Sequence, residues 1–300
     1  MKSKVSIILL NYNGAKDTIE CIESLEKITY KNFEIIVVDN NSDENDKKLL
    51  EGAIKKENVS VIYNDSNLGF SGGNNIGINK AINGDSDFVL LLNNDTVVDP
   101  DFLEHLLEIF NKNKNSGIAA PQINYYDEPG KVWSEGGKVS KIRGSGFAYS
   151  ERMDNNKNID DTKVGFVSGC CMLIKNDVFE DVGLFDDNFF LYVEDTDFCF
   201  RTNQLGYKIY ITHKSKIYHK VNQTTAKENL TLPIYYNTRN RLYFAKKHFG
   251  LIYYCVLTYL FFTFVVKCSF WIFTNQTQKV KVVIKAFSDF LKGKMGKTNI

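Results

Sequence analysis

Short apolar runs alternate with stretches in which apolar residues recur every three or four positions. Val5–Leu10 is a run of the first kind, closed by Asn11-Tyr12-Asn13-Gly14, and it reads as a buried strand. Ile19, Ile22, Leu25 and Ile28 follow at helical spacing. Phe33–Asp39 reads as the second strand, Leu49–Lys56 as a helix and Val59–Tyr63 as a short strand. Residues 67–75, Asn-Leu-Gly-Phe-Ser-Gly-Gly-Asn-Asn, read as a glycine-rich turn opening a helix through Ile76, Ile78 and Ile82. Phe88–Leu92 is the fourth strand. Asp99-Pro100 then starts a helix, with Asp99 as N-cap, Pro100 in the first turn, and Phe102, Leu103, Leu106 and Phe110 on its apolar face. Strands separated by helices imply βαβ units and an α/β fold with a mainly parallel sheet.

The pattern changes after residue 121. Residues 122–150 are rich in Gly, Tyr and Ser and read as hairpins and loops, and Asp154–Lys163 as a polar, mobile loop. Cys171–Ile174 reads as a strand, Asn176 caps a short helix ending at Gly183, and Glu194–Leu205 is a helix closed by Gly206. Tyr207–Thr212 and Ser215–His219 read as two further strands. The end is different again: Leu251–Val266 carries no charge, and six lysines with one aspartate follow Asn275.

Composition adds little beyond a class. The chain is 300 residues, 43% hydrophobic and 24% charged, which is globular. Its net charge of +1 offers no global field for nucleic acid, so none is expected as a partner. Six cysteines without a C-x-x-C pair read as buried free thiols in a reducing compartment. The N-terminal apolar run is too short for a signal peptide.

The chemistry sits where strands should end. Asn93-Asn94-Asp95 follows one apolar run, and Phe189–Val193 delivers a second to Glu194-Asp195-Thr196-Asp197. Charge is expensive to bury unless it holds something, and ligands of open α/β sheets bind outside the carboxyl ends of the strands. Asp95 suits a Mg²⁺ or Mn²⁺ ion shared with phosphates, or equally a strand-end Asx-turn. The acids at 194–197 suit a general base with a raised pKa, or plain capping of a helix dipole. Asp39 could accept from a ribose or base edge, or cap a turn. His219 reads as structural unless it stands beside Asp95. The glycines at 69, 72 and 73 match no phosphate-loop spacing, and an ordinary tight turn explains them equally.

Taken in order, these segments resemble the family 2 glycosyltransferases of GT-A (Rossmann-like) fold, in particular the rhamnosyltransferase-like branch. The resemblance runs through Ser6–Asn13, Val37–Ser42, Asn67–Asn75, Leu92–Asp95, Gly183–Asp186, Phe189-Phe190, Glu194–Asp197 and Tyr218-His219. It implies an inverting transfer of a single sugar from a nucleoside diphosphate sugar, dTDP-rhamnose or a UDP-sugar, to a glycan hydroxyl. It implies a base, Asp195, in a catalytic pair with Glu194. Asn11, Asn13, Asp39, Asn67, Gly69, Asn74 and Asn94 would line the nucleotide-sugar site, with Asp95 and His219 holding the metal on the diphosphate. The family's D-x-D motif here reads Asn93-Asn94-Asp95 and lacks its first carboxylate. The Q-x-x-R-W motif of processive synthases is missing, so one or a few sugars are expected per acceptor.

Residues 1–222 are expected to form the catalytic domain and 223–300 a helical, membrane-associated region. Leu251–Phe273 is long enough to span a bilayer. Basic residues flank it on both sides, which favours a re-entrant or interfacial helix at the cytoplasmic face of the membrane. That setting suits a polyprenyl-linked acceptor. Trp133, Tyr125, Tyr126 and Tyr149 are candidates for stacking on a sugar, or for packing. A sugar-1-phosphate nucleotidyltransferase should carry a Gly-rich, Arg-containing loop after the first strand, and Asn11–Lys16 is not one. A non-catalytic nucleotide-sugar-binding module would not need Asp195.

Overall fold

The computed structural model describes residues 2–149, 161–221 and 231–298. Strand and helix alternate through the first third as β1 (Val5–Asn11), α1 (Ala15–Leu25), β2 (Phe33–Asp39), α2 (Glu44–Ala53), β3 (Val59–Tyr63), α3 (Gly69–Asn83) and β4 (Phe88–Asn93). A short β5 (Thr96–Val98) and α4 (Phe102–Lys112) follow, then a ten-residue β6 (Ser116–Tyr125), β7 (Val132–Ser134) and a hairpin of β8 (Gly137–Ser140) and β9 (Ser145–Ala148). The second half holds β10 (Thr162–Val164), β11 (Cys171–Lys175), α5 (Asn176–Val182), α6 (Glu194–Gln204) and β12 (Lys208–His219). Helices α7 (Thr231–His248), α8 (Ile252–Phe273) and α9 (Thr277–Leu291) close the chain.

The main sheet runs in the order β10-β12-β6-β11-β4-β1-β2-β3, with β5 on β12 and β7 on β6. β1, β2, β3 and β4 pair in parallel, as do β6 and β12; β11 is antiparallel to both β4 and β6. Two reversals cancel, so β6 and β12 point the same way as β4. The carboxyl ends of β1, β2, β4 and β12 therefore share one edge with the start of β11. Both faces of β1 are apolar because both are covered. Val5, Ile7 and Leu9 pack with α1 and α4, while Ile8 packs with α3 and α6.

Several expected elements differ. From Gly69 onward the glycine-rich stretch is not a turn but the first half of α3. A Cβ on Gly73 would lie 2.4 Å from Leu10 Cδ1, and one on Gly77 2.6 Å from Ile8 Cγ2, so these glycines let the helix lie close on β1. α2 begins five residues earlier than its apolar residues suggest, because Asp43 accepts from Asp46 N and caps it. Asp99 is not a side-chain cap of α4, which starts after a turn at Pro100-Asp101, and Lys175 rather than Asn176 occupies the cap position of α5. The expected pair of strands at 207–219 is one strand, β12, with a register shift between Thr212 and Lys216. Of the expected polar loop, 154–160 lie outside the described residues and 162–164 form β10.

Helices α7 to α9 pack on one another and onto the 189–200 region through Phe189, Val193, Phe200, Leu242, Phe244, Val256, Leu260 and Phe264. The cysteines are free; Cys21, Cys170, Cys171 and Cys199 are buried as expected, while Cys255 of α8 is exposed.

Candidate active site

The first part of the site is a knot of amides at the ends of β1, β2 and β4. Asn11 is fully buried, and its Nδ2 donates to Asp39 Oδ1 (2.8 Å), Asp46 Oδ2 (2.8 Å) and Ser42 Oγ (3.1 Å). Its Oδ1 accepts from Thr18 Oγ1, which in turn accepts from Asn94 Nδ2 at 2.8 Å. Asp39, also fully buried, takes Ser42 N at 3.0 Å. Asn11 and Asp39 thus spend their polar atoms on the protein. They fix the loops that surround the edge instead of reaching out from it. Asn13 lies outside, with φ 52°, and accepts from Asp43 N. A cavity of about 350 Å³ opens beside it, lined by Asn13, Gly14, Lys16, Asp17, Asp43 and Asp46 among others.

Asn67 and Gly69 meet at the start of α3. Asn67 Oδ1 accepts from Gly69 N (2.8 Å) and from Asn40 Nδ2 (3.1 Å). Asn40, which sequence reasoning passed over, is buried and ties Asn64, Asn67, Leu68 and Gly69 to the end of β2. Asn74 is 2% exposed and bonds back to Phe70 O, so it braces its own helix.

Asp95 and His219 are brought together by β5. That strand pairs Thr96 with His219, and Lys220 N donates to Asp95 O at 2.9 Å. His219 Nε2 lies 3.1 Å from Asp95 Oδ1, an ion-pair distance, yet Asp95 Oδ1 and His219 Nδ1 are buried without a well-aligned hydrogen bond. Burial works against charge on His219, but the Cys170 sulphur and the Asp95 carboxylate push it up to about 11. The Cys170 thiol is itself raised by burial, so Asp95 is the partner that counts at neutral pH. Asp95 Oδ1, buried and without an aligned hydrogen bond, fits a divalent cation; His219 would join it through Nε2 only as the neutral imidazole, with the cation taking the place of its proton. No cluster of three or more metal-ligating side chains occurs among the described residues, so other ligands would come from phosphate or water. Trp133 lies edge-on to His219 at 4.7 Å, and Tyr126 bonds Glu20 under Lys220.

Asp195 stands on the same edge. Cys170 O accepts from Asn93 N, and the neighbouring Gly169 N donates to Asp195 Oδ2 at 3.2 Å. Thr196 N donates to Oδ1 at 2.6 Å. Burial raises the Asp195 carboxylate despite these donors. Burial, and then the charge of Asp195, raises Glu194 further; its Oε2 has no partner. Asp197 is different: burial is outweighed by His248, Arg201 and Lys247, which hold it below the usual range. Of three acids in one turn, only Asp197 is neutralised by cations, and the other two are poised to take a proton.

The backbone leading to Asp195 is strained. Phe190, Tyr192 and Val193 have φ of 57°, 68° and 75°, each costing roughly 1–3 kcal/mol outside glycine. Gly69 makes room for this loop, since a Cβ there would fall 2.3 Å from Phe190 O.

Known proteins resemble this chain in sequence and in fold. A family model described as glycosyl transferase family 2 matches residues 6–183. A low-salt glycan biosynthesis hexosyltransferase of Haloferax volcanii is 28% identical over 207 residues, 68% of this chain and 63% of the relative, so under two thirds of its length is spanned. An N-acetylglucosaminyl-diphospho-decaprenol L-rhamnosyltransferase of Mycobacterium tuberculosis is 24% identical, covering 75% of this chain and 78% of the relative. A mannosyltransferase from Pyrobaculum calidifontis, solved with GDP-Man and Mn²⁺, superposes with a TM-score of 0.60 at 11% identity, over 98% of this chain and 88% of that one. The last likeness is one of fold.

Proposed function

The chain belongs to glycosyl transferase family 2, and from that premise we propose that it moves a single sugar, with inversion, from a nucleoside diphosphate sugar to a hydroxyl of a lipid-linked glycan. The observation that carries this reading is one carboxylate, Asp195, buried enough to have a raised pKa and held on the edge that also bears Asp95 and His219. An acceptor hydroxyl gives its proton to Asp195 as its oxygen bonds the anomeric carbon. The bond from that carbon to the diphosphate breaks, and its electrons leave with the diphosphate. A single displacement inverts the centre, and a single base suffices for it. Burial favours the neutral form of Glu194 even more than that of Asp195, and Glu194 stands beside the base as its buried partner. Asp95 and His219 would hold a Mg²⁺ or Mn²⁺ ion, which supplies positive charge against the leaving diphosphate. The rim of Asn13, Asn67, Gly69 and Asn94 would line the donor site, shaped from within by Asn11, Asp39 and Asn74. The L-rhamnosyltransferase relative motivates a rhamnosyl donor, and its diphospho-decaprenol acceptor motivates a polyprenyl-linked one.

Residues 231–298 support attachment to the cytoplasmic face of a membrane. α8 is the one helix among the described residues long and apolar enough to cross a bilayer. Val256, Leu260 and Phe264 nevertheless pack along α7 and α9, with Phe264 5.3 Å from Phe287. Phe261, Phe262, Val266, Phe270 and Phe273 are left exposed. Crossing would drag Lys279, Lys281 and Lys285 of α9 into hydrocarbon, so α8 is read as lying in one leaflet.

The test is Asp195→Asn, assayed for turnover of dTDP-rhamnose, UDP-glucose and GDP-mannose with Mn²⁺. Loss of turnover with nucleotide binding intact is expected. Full activity would remove the base and with it the mechanism.

A further inference from the structure

The strained loop before Asp195 is held by a residue 45 positions downstream, beyond the matched residues 6–183. Asn240 of α7 is fully buried, and its Nδ2 lies 2.6 Å from Phe189 O, 2.9 Å from Leu191 O and 2.8 Å from Tyr192 O. The carbonyl left over, Phe190 O, accepts from Phe70 N at 2.6 Å. Four consecutive carbonyls are thus claimed, three of them by one amide. Arg239, also fully buried, donates to Asn188 O and Gly296 O on the adjoining side. Past Asp195, α7 grips again: His248 Nε2 lies 2.7 Å and Lys247 Nζ 3.0 Å from Asp197 Oδ1. Left-handed backbone at Phe190, Tyr192 and the β-branched Val193 persists only where surroundings over-determine it. Those surroundings are chiefly Asn240.

We propose that Asn240 is a positioning residue: by drawing the carbonyls of Phe189, Leu191 and Tyr192 inward it holds the left-handed turn that starts α6, and so aims Asp195. This rests on Asp195 being the base. It also makes α7, the helix against which α8 and α9 pack, part of the catalytic apparatus.

The experiment is Asn240→Asp, which keeps the shape and removes the donors, made in the full chain in wild-type and Asp195→Asn backgrounds. Asn237→Ala, one turn away on α7, is the control. Turnover is measured with whichever of the three donors is used, binding of UDP and dTDP by calorimetry, and amide exchange over 189–197 by mass spectrometry. In the wild-type background kcat should fall roughly 10- to 100-fold, the scale of a misplacement near 1 Å, with donor KM and nucleotide binding within about twofold. Exchange over 189–197 should rise. In the Asp195→Asn background the same change should cost little more, since both act through one group. A folded Asn240→Asp with wild-type kcat and exchange overturns the proposal. So does an equal loss in both backgrounds, or a loss confined to donor KM. If Asn240→Asp does not fold, Asn240→Ser, which keeps one donor, carries the same expectations at smaller size. A fully active Asp195→Asn would instead defeat the base assignment, whatever Asn240 does.

Discussion

Replacing Gly77 by alanine tests whether the glycines of α3 serve packing or a ligand. Inside a helix, alanine is normally better than glycine by about 0.5–1 kcal/mol. At Gly77 the new Cβ would stand 2.6 Å from Ile8 Cγ2 and 3.2 Å from its Cγ1 and Cδ1. Ile8 is fully buried in β1, stiff at χ1, and flanked by β2 and β4, so its methyl has nowhere to turn. Overpacking of this kind costs typically 1–3 kcal/mol. The net expectation is a loss of about 1–2 kcal/mol, or roughly 2–8 °C in Tm at 2–4 °C per kcal/mol. Gly73→Ala should cost less, because its 2.4 Å contact is with Cδ1 of half-buried Leu10, the free end of a flexible side chain. The assay is thermal and urea unfolding of the full chain in mild detergent, with nucleotide binding alongside. Ile8→Ala removes the opposing methyl, so Gly77→Ala should cost less in that background, with a coupling of about 1 kcal/mol. A Gly77→Ala protein more stable than the parent would refute the close approach of α3 to β1. Lost nucleotide affinity at unchanged stability would return the glycines to a ligand role.

Three further outcomes follow. Glu194 has a folded-state pKa raised above its unfolded value, so its ionised form costs stability above the usual carboxylate range, and the cost fades as pH falls toward about 4. Glu194→Gln should raise Tm by a few degrees at pH 7 (about 2–4 °C per kcal/mol relieved) and change it little near pH 4; a gain independent of pH would contradict the cause. Asp95→Asn should weaken Mn²⁺-dependent binding of dTDP or UDP by about tenfold or more, leaving metal-free binding unchanged, and equal binding by both proteins in Mn²⁺ and in EDTA would remove Asp95 as a ligand. Val266→Glu with Phe270→Glu should reduce flotation with anionic vesicles by roughly tenfold while leaving secondary structure intact; unaltered flotation would leave α8 without its lipid partner.

β1, β2 and β4 were readable because they are buried on both faces, so each appears as a largely apolar run. β6 was not. Ser116–Tyr125 carries Pro121, Gln122 and Asn124, and a proline argues against a central strand. The structure accommodates it with a bulge: β12 jumps from Thr212 to Lys216 between partners Pro121 and Gln122. β5 is three residues long and exists only because β12 lies beside it. Without that pairing only the family resemblance, and no pattern of apolar and polar positions, places His219 against Asp95.

Residue type was more legible than direction. Amides and carboxylates at strand ends marked one edge of the sheet, and Asp95, His219 and Asp195 all stand on it. Asn11, Asp39 and Asn74 carry the same signature, yet their polar atoms are turned inward. The distinction depends on what α1, α2 and the loop after β2 bring opposite them: Thr18, Asp46 and Ser42 satisfy Asn11, and Ser42 satisfies Asp39. A buried amide with every hydrogen bond met is indistinguishable in sequence from one awaiting a ligand. Asn240 shows the same limit from the other side. It lies in a helix of no marked amphipathicity, and only the three carbonyls that converge on it reveal that the loop ahead of Asp195 depends on it.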